Sequence, residues 1–454
     1  MQKVNCRSVL AADGWRSDQS ITIDESGRIA AIDPVANTVA MDVDILIPAP
    51  ANLHSHAFQR AMAGMAERRG PGGQDSFWTW RELMYRFLDA ITPDDVEAIA
   101  SFVQMESLEA GFGSLVEFHY LHHQPRGRPY DNLAEMGERI VTAASLTGCG
   151  LTLLPVLYHQ GGCDGRALGP GQTRFGCNVD LYQRLVESSR TALATLPDDA
   201  RLGLAPHSLR AVSPDSFRQM EQIVSNSPIH VHIAEQTAEV DEVWAIYGAR
   251  PVEWLLANAT VDPRWCLIHA TQMEPNETLG LAKTGAVAGL CPITEANLGD
   301  GIFDGVHFLK AKGRFGVGSD SNIHIDLVGE LRQLDYSQRL RDHSRAALAS
   351  EARSTGRRLL EDAAKGSAQA AARGPGVIEV GAMADLTALD GDAIDLIGKE
   401  RDTLLDSWIF AGSEPAIRHV WSAGRHVVRD GRHIARETVR QRYAKTIQSF
   451  KGRI

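Results

Sequence analysis

Two histidines stand two positions apart in Asn52-Leu53-His54-Ser55-His56. On an extended strand, residues i and i+2 project from one face. Both imidazoles can therefore aim at one point past the strand end, and converging neutral imidazoles suit a divalent transition metal, zinc above all. A solitary His-x-His pair reads equally as a polar loop entrance, so further donors must be found. Other apolar runs end in suitable residues: His207, with Arg210 three positions on; His230 and His232, with Glu235 beyond; His269; and Asp320, inside Gly318-Ser319-Asp320-Ser321-Asn322. His54, His56, His232 and Asp320 would give one metal ion nitrogen and carboxylate ligands with room for water. His230 shares strand parity with His232, and parity does not separate them. His232 is preferred because it lies nearer the strand end and three residues before Glu235.

Zinc lowers the pKa of a bound water from about 15.7 to about 7. Hydrolysis then needs a proton carrier that does not bind the metal, and Glu235 suits that role. His269 suits orienting the attacking water, and Asp320 can accept its hydrogen bond while ligating the metal.

The elements that must position these groups follow from the apolar pattern. Strand-like runs occur at 45–47, 114–119, 151–157, 202–205, 229–233, 265–269, 286–290 and 314–318, eight in all, with helical stretches between them. Thr92-Pro93-Asp94-Asp95 is a helix start with a capping residue, a proline in the first turn and acids behind it; Ser213-Pro214-Asp215 repeats the signal, and Gly285 closes the helix that begins near Glu274. Alternation of this kind predicts an α/β fold with a (β/α)8 TIM-type barrel, whose strand ends converge on one face. No glycine-rich nucleotide loop follows a strand, which disfavours a doubly wound sheet. Residues 1–47 and 375–454 read instead as short strands and hairpins, including 20–32 and 417–428, ending in a helix near 437–450. They are expected to form one small β-sandwich domain beside a barrel spanning 48–374. Two long glycine-rich connections, 68–73 and 161–176, are expected at the barrel mouth as lids.

Composition narrows the function classes. The formal net charge of -11 argues against a nucleic-acid partner or an anionic membrane surface, and an anionic substrate would need local arginines. No apolar run is long enough for a membrane span, and the first residues lack a signal-peptide core. The six cysteines have no Cys-x-x-Cys spacing and read as reduced thiols of a cytoplasmic protein.

These residues resemble the amidohydrolase superfamily, in its branch of deaminases with a single metal. The likeness spans nearly the whole chain. Three stretches are similar more narrowly to the formimidoylglutamate deiminases: 52–64 with Phe58-Gln59-Arg60, 76–85 with Phe77-Trp78-Thr79-Trp80-Arg81, and 318–322 running on to 336–340. The fourth strand shows Ala205-Pro206-His207-Ser208 without the lysine that binuclear members carboxylate, which favours one metal. Pro48-Ala49-Pro50 departs from the proline-glycine often found ahead of the histidines, but it touches no ligand.

The resemblance implies hydrolysis of N-formimino-L-glutamate to N-formyl-L-glutamate and ammonia, in histidine degradation. The residue chemistry fits such a substrate, because two carboxylates call for forked guanidinium donors. Arg81 and Arg210 are the candidates, while the family's substrate contacts also fall on Gln59, Tyr120 and His207. A small dicarboxylate is the expected partner, and a homodimer the expected assembly. One alternative is a deaminase of the same superfamily acting on a purine- or pyrimidine-type heterocycle. Trp78, Trp80 and Phe175 would stack against such a ring, and it would not need two arginines. A metal-free barrel serving as a binding scaffold is the alternative of a different class.

Overall fold

A computed structural model describes residues 1–35, 39–67, 77–223 and 226–453. The first glycine-rich connection, 68–73, lies outside the described residues, as do Ser76 and the side chain of Trp78.

The chain opens with four strands: β1 (Gln2–Ala11), β2 (Gly14–Ile23), β3 (Ile29–Pro34) and β4 (Val43–Pro48). Nine strand segments follow: β5 (Ala51–Ser55), β6 (Ser114–His119), β7 (Gly150–Leu157), β8 (Arg201–Leu202), β9 (Ala205–Pro206), β10 (Ile229–Ile233), β11 (Trp265–His269), β12 (Val287–Leu290) and β13 (Arg314–Val317). The last four are β14 (Leu386–Leu389), β15 (Ile417–Ser422), β16 (Arg425–Arg429) and β17 (Arg432–His433).

Strands β5 to β13 make a (β/α)8 barrel, with β8 and β9 together forming its fourth stave against β7. All its pairings are parallel, as crossover helices require. Bridges from Leu204 to Ile229 and from Ser55 to Asp320 join its two halves and close the ring. The helix Pro93–Glu109 starts with a reciprocal cap: Thr92 Oγ1 accepts from the Asp95 N–H, and Asp95 Oδ2 accepts from the Thr92 N–H.

The termini form the separate β domain on one ladder, in the order β17-β16-β15-β14-β4-β1-β2-β3. Val4, Ile21, Ile29, Leu46, Leu386 and Trp421 pack in its own core. A partly buried ion cluster ties it to the barrel. Arg373 pairs with Asp385 (2.9 Å) and Asp199 (3.0 Å), and Arg425 also pairs with Asp199 (2.8 Å).

One expected strand belongs elsewhere. The run Ile45–Ile47 was expected to open the barrel, but it lies in β4, parallel to β1 and antiparallel to β14. The barrel's first strand is β5. Apolar periodicity marks a buried strand but not the sheet that receives it. The switch falls at Pro48-Ala49-Pro50: the Ala49 N–H donates to the Asp385 carbonyl, whereas the Pro50 carbonyl accepts from the barrel's Gly113 N–H. Proline has no N–H to continue a ladder, so the chain changes partners there.

Candidate active site

Backbone hydrogen bonds latch the first and eighth barrel strands at their C-terminal ends. The Asp320 N–H donates to the His54 carbonyl and the His56 N–H to the Asp320 carbonyl, both at 2.9 Å. Glycine is required at 318, where a Cβ would stand 2.6 Å from the His54 nitrogen. Asp320 and Asn322 have φ of 46° and 56°, a conformation that costs an L-residue about 1–2 kcal/mol. Side chains hold it in place. Asn52 accepts from the Ser319 N–H (2.9 Å), and Asn322 Nδ2 donates to the His56 carbonyl (3.1 Å).

This latch brings four donor groups together. His54 Nε2 lies 3.2 Å from His56 Nε2 and 3.1 Å from His232 Nε2, and the last two are 3.3 Å apart. Asp320 Oδ1 is 3.4 Å from His54 Nε2 and 3.2 Å from His56 Nε2. A tetrahedron with bonds of ~2.0–2.1 Å has edges of about 3.3–3.4 Å, so these separations fit one metal ion. The ring tautomers agree. His56 Nδ1 donates to the Phe118 carbonyl (3.0 Å) and His232 Nδ1 to the His207 carbonyl (3.2 Å), which leaves both Nε2 lone pairs facing inward. Burial drives the His54 pKa down to about 3 and His232 well below its ordinary value, so both rings are neutral donors. Burial pushes the Asp320 carboxyl up, but the adjoining His54 and His56 rings outweigh it and hold its pKa well below the usual carboxylate value.

Beside this cluster, Glu235 and His269 form a second layer. His269 Nε2 lies 3.8 Å from Glu235 and 3.9 Å from Asp320, and Nδ1 is 3.3 Å from Glu295. Burial opposes charge on the His269 ring, but Glu235, Glu295 and Asp320 overcome it and raise its pKa well above the usual value. Burial raises Glu235, which favours a carboxyl that can hold a proton. Its backbone is fixed by Glu239, whose two carboxylate oxygens accept the N–H groups of Ala234 (3.2 Å) and Glu235 (3.1 Å).

His56, His232 and Asp320 of this cluster line a narrow cleft. Gln59, Arg81, Tyr120, His207 and Arg210 all line it, so every residue expected to meet substrate faces the same space as Glu235. Gln59 Nε2 donates to the Tyr120 hydroxyl (2.7 Å), and Arg81 donates to the Tyr158 hydroxyl (3.0 Å). Burial, then Arg210 and Arg81, hold the His207 pKa well below its ordinary value, which puts both guanidinium groups near one neutral ring. The second long connection contributes the short helix Pro170–Phe175, with Phe175 in the cleft wall.

His230 separates from His232. Its Nε2 donates to the Ala370 carbonyl (2.9 Å), away from the four-donor group. Glu239, Glu295 and Tyr158 carry no sequence signal of their own. Glu239 sits in a helix first turn, Glu295 follows strand seven, and Tyr158 stands one residue past a run read only as a strand. All six cysteines are free and buried, and Cys291 lies with His269 and Glu295 in a second close group.

A barrel with converging histidines and an aspartate at its mouth defines a class of metal-type hydrolases, and the chain belongs to the amidohydrolase family, whose sequence profile matches residues 45–427. Within that family it is 45% identical over 429 residues to the formimidoylglutamate deiminase of Pseudomonas aeruginosa, covering 94% of each chain. The crystal structure of an amidohydrolase from Brucella melitensis superposes with a TM-score of 0.95 at 45% identity, covering 99% of this chain and 100% of the other. A zinc-bound adenosine deaminase from Xanthomonas campestris shares the fold at 20% identity, with a TM-score of 0.79 and 98% of both chains covered.

Proposed function

We propose that the protein hydrolyses N-formimino-L-glutamate to N-formyl-L-glutamate and ammonia, with one zinc ion held by His54, His56, His232 and Asp320. The observation that carries this reading is the shared cleft: Arg81 and Arg210 face the same space as Glu235 and the four-donor group. The 45% identity to a formimidoylglutamate deiminase supports the same substrate.

When bound there, such a cation would supply Lewis acidity, the property by which zinc lowers the pKa of water from about 15.7 to about 7. Arg81 and Arg210 grip the two carboxylates and so orient the flat amidine end toward Glu235. Gln59, Tyr120 and neutral His207 complete the polar wall. Glu235 takes a proton as the water oxygen adds to the amidine carbon and delivers it to the nitrogen that departs as ammonia. His269, braced by Glu295 on its other ring nitrogen, orients the water, and Asp320 accepts its hydrogen bond. Barrel residues 48–374 carry this chemistry, and residues 1–47 with 375–454 support it. The reading extends to a cytoplasmic homodimer.

The test is ammonia release by the zinc-loaded protein from N-formimino-L-glutamate, beside a panel of aminated purines and pyrimidines. Release from formiminoglutamate is expected. No release, or release only from a heterocycle, overturns the assignment.

A further inference from the structure

The Tyr158 hydroxyl sits where two separate segments of the barrel mouth meet. Arg81, on the helix Phe77–Ala90, donates to it at 3.0 Å. Gln172, on the short helix Pro170–Phe175, donates to it at 2.9 Å. Neither partner can accept in return. A guanidinium has no acceptor. The Gln172 carbonyl oxygen already accepts the Gly169 N–H (2.8 Å), which turns its amide NH2 toward the phenol.

A phenol oxygen has two acceptor positions and one hydrogen. Both acceptor positions of Tyr158 are filled, and among the described residues its O–H donates to nothing. Tyr158 is buried, but its side chain lines the cleft beside Arg81, His207 and Arg210. The ring is held edgewise against His207, with centroids 4.6 Å apart. The one hydrogen the pair of donors leaves free is therefore available to an acceptor in the cleft. A buried hydroxyl without an acceptor is costly, so the occupant is expected to be one that accepts strongly at this spot.

We propose that Tyr158 is a substrate-recognition residue: its O–H donates to the carboxylate gripped by Arg81, and Gln172 is the positioning residue that fixes this direction. The ligand class is an amidine bearing a carboxylate at that end of the cleft. This inference rests on the dicarboxylate reading above and deepens it.

Steady-state kinetics on the zinc-loaded enzyme test it. The substrates are N-formimino-L-glutamate and two truncated amidines, one lacking the α-carboxylate and one lacking the γ-carboxylate. Tyr158→Phe is expected to raise KM for formiminoglutamate about tenfold or more, the effect of a lost hydrogen bond to a charged group, with kcat within about twofold. The penalty should vanish for the one truncated substrate that lacks the contacted carboxylate. Gln172→Met keeps the phenol but frees its rotation, and should raise KM by about threefold. A KM within about twofold of wild type for Tyr158→Phe, or an equal penalty on all three substrates, overturns the inference while leaving the function standing. A wild-type enzyme inactive on formiminoglutamate overturns both.

Discussion

Glu239 provides the sharpest test of how the site is held. Its carboxylate accepts two backbone N–H groups at the end of the fifth barrel strand, from Ala234 at 3.2 Å and Glu235 at 3.1 Å. Ala234 has a φ of 51°, which costs about 1–2 kcal/mol. That turn persists because the carboxylate pins both of its amides, and it aims the Glu235 side chain into the cleft. In Glu239→Gln one oxygen remains, and the amide NH2 meets the other N–H donor to donor. A buried donor left unsatisfied costs about 1–3 kcal/mol. Each ~1.4 kcal/mol withheld from the transition state is a factor of about ten in rate. The expected loss in kcat is therefore about five- to a hundredfold. The KM should not rise, because Glu239 is also one of the carboxylates whose negative charge acts on Arg210, and removing that charge does not weaken the arginine's hold on a carboxylate. Ammonia release, followed continuously by a coupled dehydrogenase, reads both constants, and a thermal melt confirms folding. A kcat within about twofold of wild type, or a rise in KM at unchanged kcat, refutes the reasoning.

Chelation should abolish activity and zinc restore it, with about one metal per chain by elemental analysis; His232→Ala should hold less metal at matched free zinc. Arg210→Met should raise KM for formiminoglutamate by about ten- to a hundredfold, read from the same assay, because it removes a charge-assisted clamp. Burial pushes the Asp199 carboxyl up, but Arg425 and Arg373 together hold it below 3.8. Its stabilising contribution is therefore complete above the unfolded value and is lost as pH falls through the lower folded value. Asp199→Asn should lower Tm at pH 7 and flatten the acid loss of stability below about pH 4, in melts across that range.

Much of the site was legible before any coordinates because strand periodicity encodes which face a residue takes. His54 and His56 share a face by parity, and the strand ends carrying His232 and Asp320 converge once eight strands close a ring. Arg81 and Arg210 were singled out through the family resemblance, whose substrate is a dicarboxylate, and both line the cleft. Parity failed between His230 and His232, which lie on one strand two residues apart; depth along the barrel separates them, and depth is not a periodic property. Periodicity also could not assign Val43–Pro48, because a buried run looks alike in either sheet.

Residue types and their spacing on single strands are local properties, written in the order of the amino acids, and they carry the candidate donors, the alternating barrel and the terminal hairpins. The supports of those donors belong to folding in three dimensions. Asn52 meets Ser319 across 267 residues, Glu239 pins the turn that aims Glu235, and Tyr158 joins Arg81 to Gln172. Such contacts depend on how sheets close and loops fold back over the barrel mouth, and no short-range pattern carries that information.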